Sequence, residues 1–336
     1  MNRIRLTYAG CDYWDRTRSL MDGSVRPPGI DLTYLTGYPR DLFRRMAQYE
    51  EFDAAEMSMS TYVAMVSRGD TRFVAIPVFP SRNFRHSYLF INARAGITKP
   101  EDLRGKRIGV PEYQMTAALW IRGFLQHDHG VHAREVHWLM GAMDEHGFDE
   151  RLALSLPEEI DLQHIPEGKT LEGMLEDGEI DALIMAARPR LAGAGVTETR
   201  RLFPDYVEVE KDYFRRTGIF PIMHTVVIRR PIYEKNPWIA TSLFEAFELA
   251  KRAGQERIRV TGPLAVALPW LPAHLEEIAE LFGGRDPWVY GIEENRAVLE
   301  ALIAYSHEQG LAPRPVTLEE LFAKETFVSP AIGRIA

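Results

Sequence analysis

Residues 78–92 read VFPSRNFRHSYLFIN, and residues 220–230 read FPIMHTVVIRR. Both are apolar runs of strand type, with Arg82, Asn83, Arg85 and His86 inside the first and His224 inside the second. An unpaired buried charge costs several kcal/mol, so such residues in an interior-bound segment must be paired, wet or functional. If the first stretch carries the chain out of one lobe and the second carries it back, both polar centres fall at the junction. The lobes are then residues 1–92 plus 224–336, and residues 93–223, with crossings near 84–92 and 219–229 that lie side by side.

The flanking patterns supply the lobes. Alternation over Ile4 to Ala9 and again over Ile30 to Leu35 predicts two strands, with a short helix at Arg18 to Met21 between them. PRDLFRRMAQYEEFD places Leu42, Phe43, Met46 and Ala47 at helical spacing and runs into the short apolar segment EFDAAEMS. GKTLEGMLEDGEIDALIM repeats the plan, a helix with Leu171, Met174 and Leu175 on one face followed by Ile180 to Leu183. Asp53 and Asp181 stand at the same place in the two copies. Between them come a strand at Arg107 to Val110 and a long helix from Thr116. After them, helices are expected over Trp238 to Arg252, Ala273 to Phe282 and Glu293 to Glu308, and residues 141–168 read as a surface excursion. This βα alternation predicts two α/β lobes with mixed, mainly parallel sheets and helices on both faces, enclosing a cleft.

The chain has 336 residues, enough for two cores, and 46% apolar with 26% charged residues is an ordinary globular composition. No stretch approaches the ~20 apolar residues of a membrane span. The net charge of −8 argues against nucleic acid or an anionic membrane face as partner, while leaving a locally positive cleft for a small anion. Cys11 is the single cysteine, so no intrachain disulfide or thiolate metal cluster is expected. The chain opens on a strand pattern instead of a secretory signal, and a cytoplasmic location is the expectation. GxSxG, GxxxxGK[ST] and GxGxxG motifs are absent.

The stretches EFDAAEMSMSTY, PSRNFRH, PEDLRGKRIGVPEYQMTAALWIRGFLQ and GIFPIMHTVVIRR resemble the 4,5-dihydroxyphthalate decarboxylase family, over a span from about Leu6 to beyond Trp238. That resemblance implies a two-lobed type II periplasmic-binding-protein-like fold and loss of CO2 from an aromatic dicarboxylate, 4,5-dihydroxyphthalate giving 3,4-dihydroxybenzoate. No organic cofactor is then required, a divalent metal stays open, and a homo-oligomer is allowed. The alternatives are a solute-binding or sensor protein of the same fold, or an enzyme acting on another small aromatic acid.

Ligands of open α/β sheets sit beyond the carboxyl ends of strands. Candidate residues follow from that rule. Arg85, with Arg82 or Arg188, offers planar forks for a carboxylate, the alternative being structural ion pairs. His86 and His224 are the acid/base candidates, against the bland reading of satisfied core histidines. Ser58, Ser60, Gln114 and Thr116 precede helical runs, where they can meet an anion or simply cap the helix. Asp12, Tyr13 and Tyr113 lie in loops that can contact a planar ring, and Glu56 and Glu112 are reserve acid/base or metal ligands. His127, His129, His132 and His137 look like a metal cluster but lack HExxH spacing.

Overall fold

The computed structural model describes residues 3–144, 154–185, 199–260 and 262–328, and every count below refers to these. In chain order the strands are β1 (Ile4–Gly10), β2 (Ile30–Thr36), β3 (Ala54–Ser58), β4 (Phe73–Ile76), β5 (Leu89–Asn92), β6 (Arg107–Val110), β7 (His137–Met140), β8 (Leu162–His164), β9 (Ala182–Ile184), β10 (Thr199–Arg201) and β11 (His224–Arg229). The helices are α1 (Arg18–Met21), α2 (Pro39–Tyr49), α3 (Met59–Ser67), α4 (Thr116–His129), α5 (Leu171–Asp177), α6 (Tyr206–Thr217), α7 (Arg230–Lys235), α8 (Trp238–Arg259), α9 (Leu271–Leu281), α10 (Arg296–Glu308) and α11 (Leu318–Leu321).

Two compact units result. Unit one comprises residues 1–82, 222–299 and 316–336, and unit two residues 83–221 and 300–315. Unit one holds a five-stranded sheet in the order β2-β1-β3-β11-β4, parallel except for β11, which runs antiparallel to both neighbours. Unit two holds the order β10-β5-β9-β6-β7-β8, with β9, β6, β7 and β8 parallel and β5 antiparallel to both β9 and β10. Aligned from the other edge, β7-β6-β9-β5-β10 repeats the order of unit one, and β8 is an added edge strand.

The repeated Asp has a local cause. Asp53 precedes β3 and accepts the backbone N–H and hydroxyl of Thr7 in β1, at 2.7 and 2.8 Å. Asp181 precedes β9 and accepts the backbone N–H of Arg107 in β6 at 2.9 Å, with the Arg107 guanidinium on the same carboxylate. In both units the carboxylate occupies the ladder position where the returning strand has not yet begun, and so sets the register of the parallel pair.

The structure departs from the sequence reading in three places. Val78 and Phe79 are buried outside any strand, and residues 77–85 form a loop, with Pro77 accepting the Gly291 N–H and Arg82 holding the Val289–Asn295 turn. The 141–168 region, expected as an excursion, supplies β8. Residues 300–315 belong to unit two, because Tyr305 packs edge-on against Trp120 and Gln309 bonds Arg122, both on α4.

Candidate active site

In unit one the carboxyl ends of β1 and β3 meet the amino end of antiparallel β11, so three chain segments deliver side chains to one place. The residue opposite Ser58 is His224. Two residues back on β3 stands Glu56, with 0% of its surface exposed. Its carboxylate takes three donors: the Cys11 backbone N–H at 2.9 Å on Oε2, and on Oε1 the Tyr13 hydroxyl at 2.6 Å and His224 Nδ1–H at 2.6 Å. The Tyr13 oxygen also lies 3.4 Å from that nitrogen.

Burial pushes the Glu56 carboxyl up, but the hydrogen bond and charge of His224, then the Cys11 N–H and the Tyr13 hydroxyl, outweigh it and leave the group below its ordinary range. Glu56 is therefore a buried carboxylate satisfied by hydrogen bonds. Burial and then the Glu56 charge hold the Tyr13 hydroxyl well above its ordinary value, and the same two causes raise the Cys11 thiol. Both stay protonated, which makes Tyr13 a donor and the Cys11 thiol a poor nucleophile.

A carboxylate on Nδ1 fixes the imidazole tautomer and ring orientation and leaves Nε2 as the working atom. Phe43 meets the ring edge-on at 4.7 Å, and 16% of the His224 side chain remains exposed, so the imidazole is held and still reachable. Ser58 and Ser60 lie beside it, buried, with their hydroxyls 3.4 Å apart. Ser58 is the N-cap residue of α3 but makes no side-chain capping bond. Arg16 sits between the Tyr13 and Trp288 rings, its guanidinium 4.7 and 4.3 Å from their centroids, and pairs with Asp15 at 2.8 Å.

Unit two offers a different chemistry at the equivalent strand ends. The residue three beyond Asp181 is Ile184, where unit one has Glu56 three beyond Asp53. His86, which leads into antiparallel β5 much as His224 begins β11, is 2% exposed and stacks on Phe124 at 3.9 Å, with Phe203 and Tyr213 edge-on. Its Nδ1 has no hydrogen-bond partner among the described residues. Near the start of α4, Gln114 donates to Glu112 at 3.1 Å, and both are buried.

Comparison with known proteins bears on this geometry. A protein from Comamonas testosteroni named 4,5-dihydroxyphthalate decarboxylase is 38% identical over 322 residues, covering 96% of this chain and 97% of its own. The chain belongs to the 4,5-dihydroxyphthalate decarboxylase family. A Pseudomonas putida protein of the same name is 39% identical over 215 residues, 64% of this chain and 83% of that one. The family model described as the ABC transporter, phosphonate, periplasmic substrate-binding protein matches residues 29–147. Among solved structures, the periplasmic aliphatic sulphonate binding protein SsuA from Escherichia coli superposes with a TM-score of 0.55 at 14% identity, covering 96% of this chain and 99% of that one. The alkanesulfonate-binding protein SsuA from Xanthomonas axonopodis pv. citri gives 0.50 at 14%, with 96% and 98% covered. At that identity the likeness speaks for fold alone, the two-lobed type II periplasmic-binding-protein-like fold.

In this decarboxylase-family chain the residues singled out from sequence scatter. His224, Tyr13 and Glu56 converge, with Ser58 and Ser60 adjoining. Glu56, a reserve acid/base or metal candidate in the sequence, has its two oxygens committed to three donors and stands behind the imidazole. Asp12 is exposed on the same loop. Arg82 is a structural clamp, donating to Val289 O at 3.0 Å and to Asn295 Oδ1, with burial lowering its pKa to about 10. Tyr113 faces the unit-two core instead of a ligand loop: it is 0% exposed, edge-on to Trp138, under the Arg122 guanidinium at 3.8 Å, and bonded to Gln309 O. Arg85, in unit two, is buried over Tyr88 at 4.8 Å with its pKa lowered to about 10 by burial, opposed by Tyr88 and Glu210. Thr116 is the buried first residue of α4. Arg188 lies outside the described residues. The histidine run disperses: His127 pairs with Glu308, His129 with Glu101 and His137 with Asp161. Arg16 was missed, although it stands three residues beyond Tyr13 in a loop already suspected of ring contact.

The environment of His86 sets a pH dependence of stability. Burial lowers its pKa to about 4, with Asp128 acting in the opposite sense. The folded value lies below the ~6.5 of an unfolded histidine, so the unfolded chain binds the proton first. The stabilisation from a neutral His86 is complete above about pH 6.5 and is lost as pH falls toward 4. Urea unfolding at pH 7 and pH 5 should differ by about 2 kcal/mol from this group, and His86→Phe should remove that difference. An undiminished slope in the variant would assign the dependence elsewhere.

Proposed function

We propose that the chain is a carboxy-lyase that converts 4,5-dihydroxyphthalate to 3,4-dihydroxybenzoate and CO2, with His224 as the proton carrier and Glu56 as its positioning residue. What supports this reading most is the Glu56–His224 pair in a chain whose full-length relative bears that activity as its name. Each carboxyl-bearing carbon of the substrate is para to a hydroxyl. Electron density pushed from that oxygen lets the ring carbon accept a proton from His224 Nε2–H. The C–C bond to the carboxylate then breaks, its electron pair restores the aromatic ring, and CO2 leaves. The imidazolium that delivers the proton is balanced by the Glu56 carboxylate, which Cys11 N–H and Tyr13 keep ionised. A proton from the phenol or from water recharges Nε2.

Because the substrate supplies its own electron push, the reaction proposed here uses neither an organic cofactor nor a metal. Arg16, beside Tyr13 in unit one, is proposed as a carboxylate anchor through its guanidinium fork. We place the reaction in the cytoplasm, the reducing compartment that suits a chain whose single cysteine, Cys11, is a buried free thiol. The test is incubation with 4,5-dihydroxyphthalate, following CO2 and 3,4-dihydroxybenzoate with and without chelator. Stoichiometric release unaffected by chelator is expected. Binding without release would make the protein a receptor, and loss of activity in chelator would overturn the metal-free route.

A further inference from the structure

4,5-Dihydroxyphthalate is symmetric, and its product still has a carboxyl-bearing carbon para to a hydroxyl, so 3,4-dihydroxybenzoate is chemically competent to lose CO2 again. A site that releases one carboxylate and stops must hold the other away from His224. A cation on the departing group would stabilise the substrate more than the transition state, because that group becomes neutral CO2. The cation therefore belongs on the carboxylate that stays.

Arg16 in unit one meets that requirement. It shares one turn with Tyr13, whose carbonyl accepts the N–H groups of Arg16 and Thr17 at 2.9 and 2.7 Å. The Tyr13 ring lies against the guanidinium while its hydroxyl oxygen is 3.4 Å from His224 Nδ1, so a single side chain joins the cation to the proton carrier. Asp15 takes Nη1, and Nε has no hydrogen-bond partner among the described residues. Trp288 covers the guanidinium from the other ring, 4.3 Å away, and Trp288 is itself held at both backbone groups. Lys251 on α8, 1% exposed, donates to Trp288 O at 2.9 Å and to Asp286 Oδ2 at 2.6 Å, and lies 2.9 Å from Glu248 Oε2. Asp286 Oδ1 accepts the Trp288 N–H and the Gln255 amide, each at 2.8 Å. All three ammonium protons of Lys251 are thus used, and α8 fixes where the Trp288 ring stands.

We propose that Arg16 clasps the carboxylate that remains on the ring, and that Trp288, fixed by Lys251 and Asp286, is the positioning residue that keeps the Arg16 fork in place. The inference rests on the decarboxylase reading above. A guanidinium between two aromatic rings is confined to one plane, and a confined planar fork is pre-organised for the two oxygens of a carboxylate. With the product's only carboxylate in this clamp, none is presented to His224, and the reaction ends after one CO2.

Initial rates with 4,5-dihydroxyphthalate, and competitive inhibition by 3,4-dihydroxybenzoate and by catechol, test the clamp. Arg16→Met should raise KM ~10–100-fold and lower kcat/KM by the same factor, the mark of binding shared by substrate and transition state. In that variant the preference for 3,4-dihydroxybenzoate over catechol, read from the two inhibition constants, should vanish. Trp288→Leu and Lys251→Met should each raise KM ~3–30-fold, and Trp288→Phe, which keeps a ring over the guanidinium, should recover most of the loss. The two Trp288 variants decide the matter even if Lys251→Met fails to fold. An Arg16→Met protein with kcat raised and kcat/KM unchanged would put Arg16 on the departing carboxylate and overturn the proposal, as would an unchanged KM in Trp288→Leu. A wild-type chain that releases no CO2 would sink the decarboxylase reading and the clamp with it.

Discussion

Replacing His224 with Asn should lower turnover of 4,5-dihydroxyphthalate by ~10²–10⁴-fold with little change in the protein's unfolding midpoint. Asparagine can still offer a donor to Glu56, so the buried carboxylate is not stranded, but it has no group that exchanges a proton near neutral pH. His86→Asn is the internal comparison: His86 lies among Phe124, Phe203 and Tyr213, and its replacement should lower stability while turnover falls less than tenfold. Steady-state kinetics of the two variants side by side separates the histidines. Equal losses would return His86 to the mechanism. Glu56→Gln completes the argument. Three donors converge on that side chain, and an amide accepts with one oxygen only, so one donor is left facing an NH2 group. The neutral amide also leaves an imidazolium uncompensated. For a positioning residue the loss should fall on kcat, with KM changed much less.

The contrast between the two histidines also marks where sequence reasoning stops. Periodicity and turn chemistry place most elements within a few residues, because helices such as α2 and α4 carry their apolar faces in local spacing. The Asp53 and Asp181 repeat was legible for the same reason: each aspartate acts on the strand next to its own. The partnership of Glu56 with His224 spans 168 positions and depends on β11 entering the sheet beside β3. A strand pattern announces β11 but not its neighbour. His86 and His224 each stand just ahead of, or at, the start of an antiparallel strand and therefore looked alike in sequence. They diverge because Ile228 pairs with Ala54 and Ile91 with Ala182, which makes Ser87 the position that matches His224, and because unit two has Ile184 where unit one has Glu56; neither difference has meaning until the repeats are superimposed. Tyr113 misled for a related reason. A tyrosine in a loop after a strand reads as ligand-facing, yet Trp138 on β7 and Arg122 on α4 enclose it, and both lie outside the local window.

Gly254→Ala should cost both stability and activity, the reverse of the usual effect in a helix interior, where alanine is favoured over glycine by ~1 kcal/mol. Gly254 lies in α8, and a Cβ at that position would sit 1.9 Å from the Asp15 carbonyl oxygen and 2.4 Å from its carbon. Both are backbone atoms, so no rotamer change can relieve the clash, and either the helix or the 11–17 loop must move. That loop supplies the Cys11 N–H and the Tyr13 hydroxyl to Glu56, and it carries Arg16. Displacing it lengthens hydrogen bonds that hold the carboxylate ionised behind His224. A destabilisation of roughly 1–3 kcal/mol is expected for such overpacking, accompanied by a fall in kcat of at least tenfold, since misplacement of about 1 Å at a catalytic group costs up to ~100-fold. Gly262→Ala is the control, as nothing lies within 4 Å of its added Cβ. Unfolding in urea and initial rates measured on both variants test the coupling: a Gly254→Ala protein that is destabilised yet fully active would detach the loop from catalysis, and with it the role given to Tyr13 and Cys11 in holding Glu56.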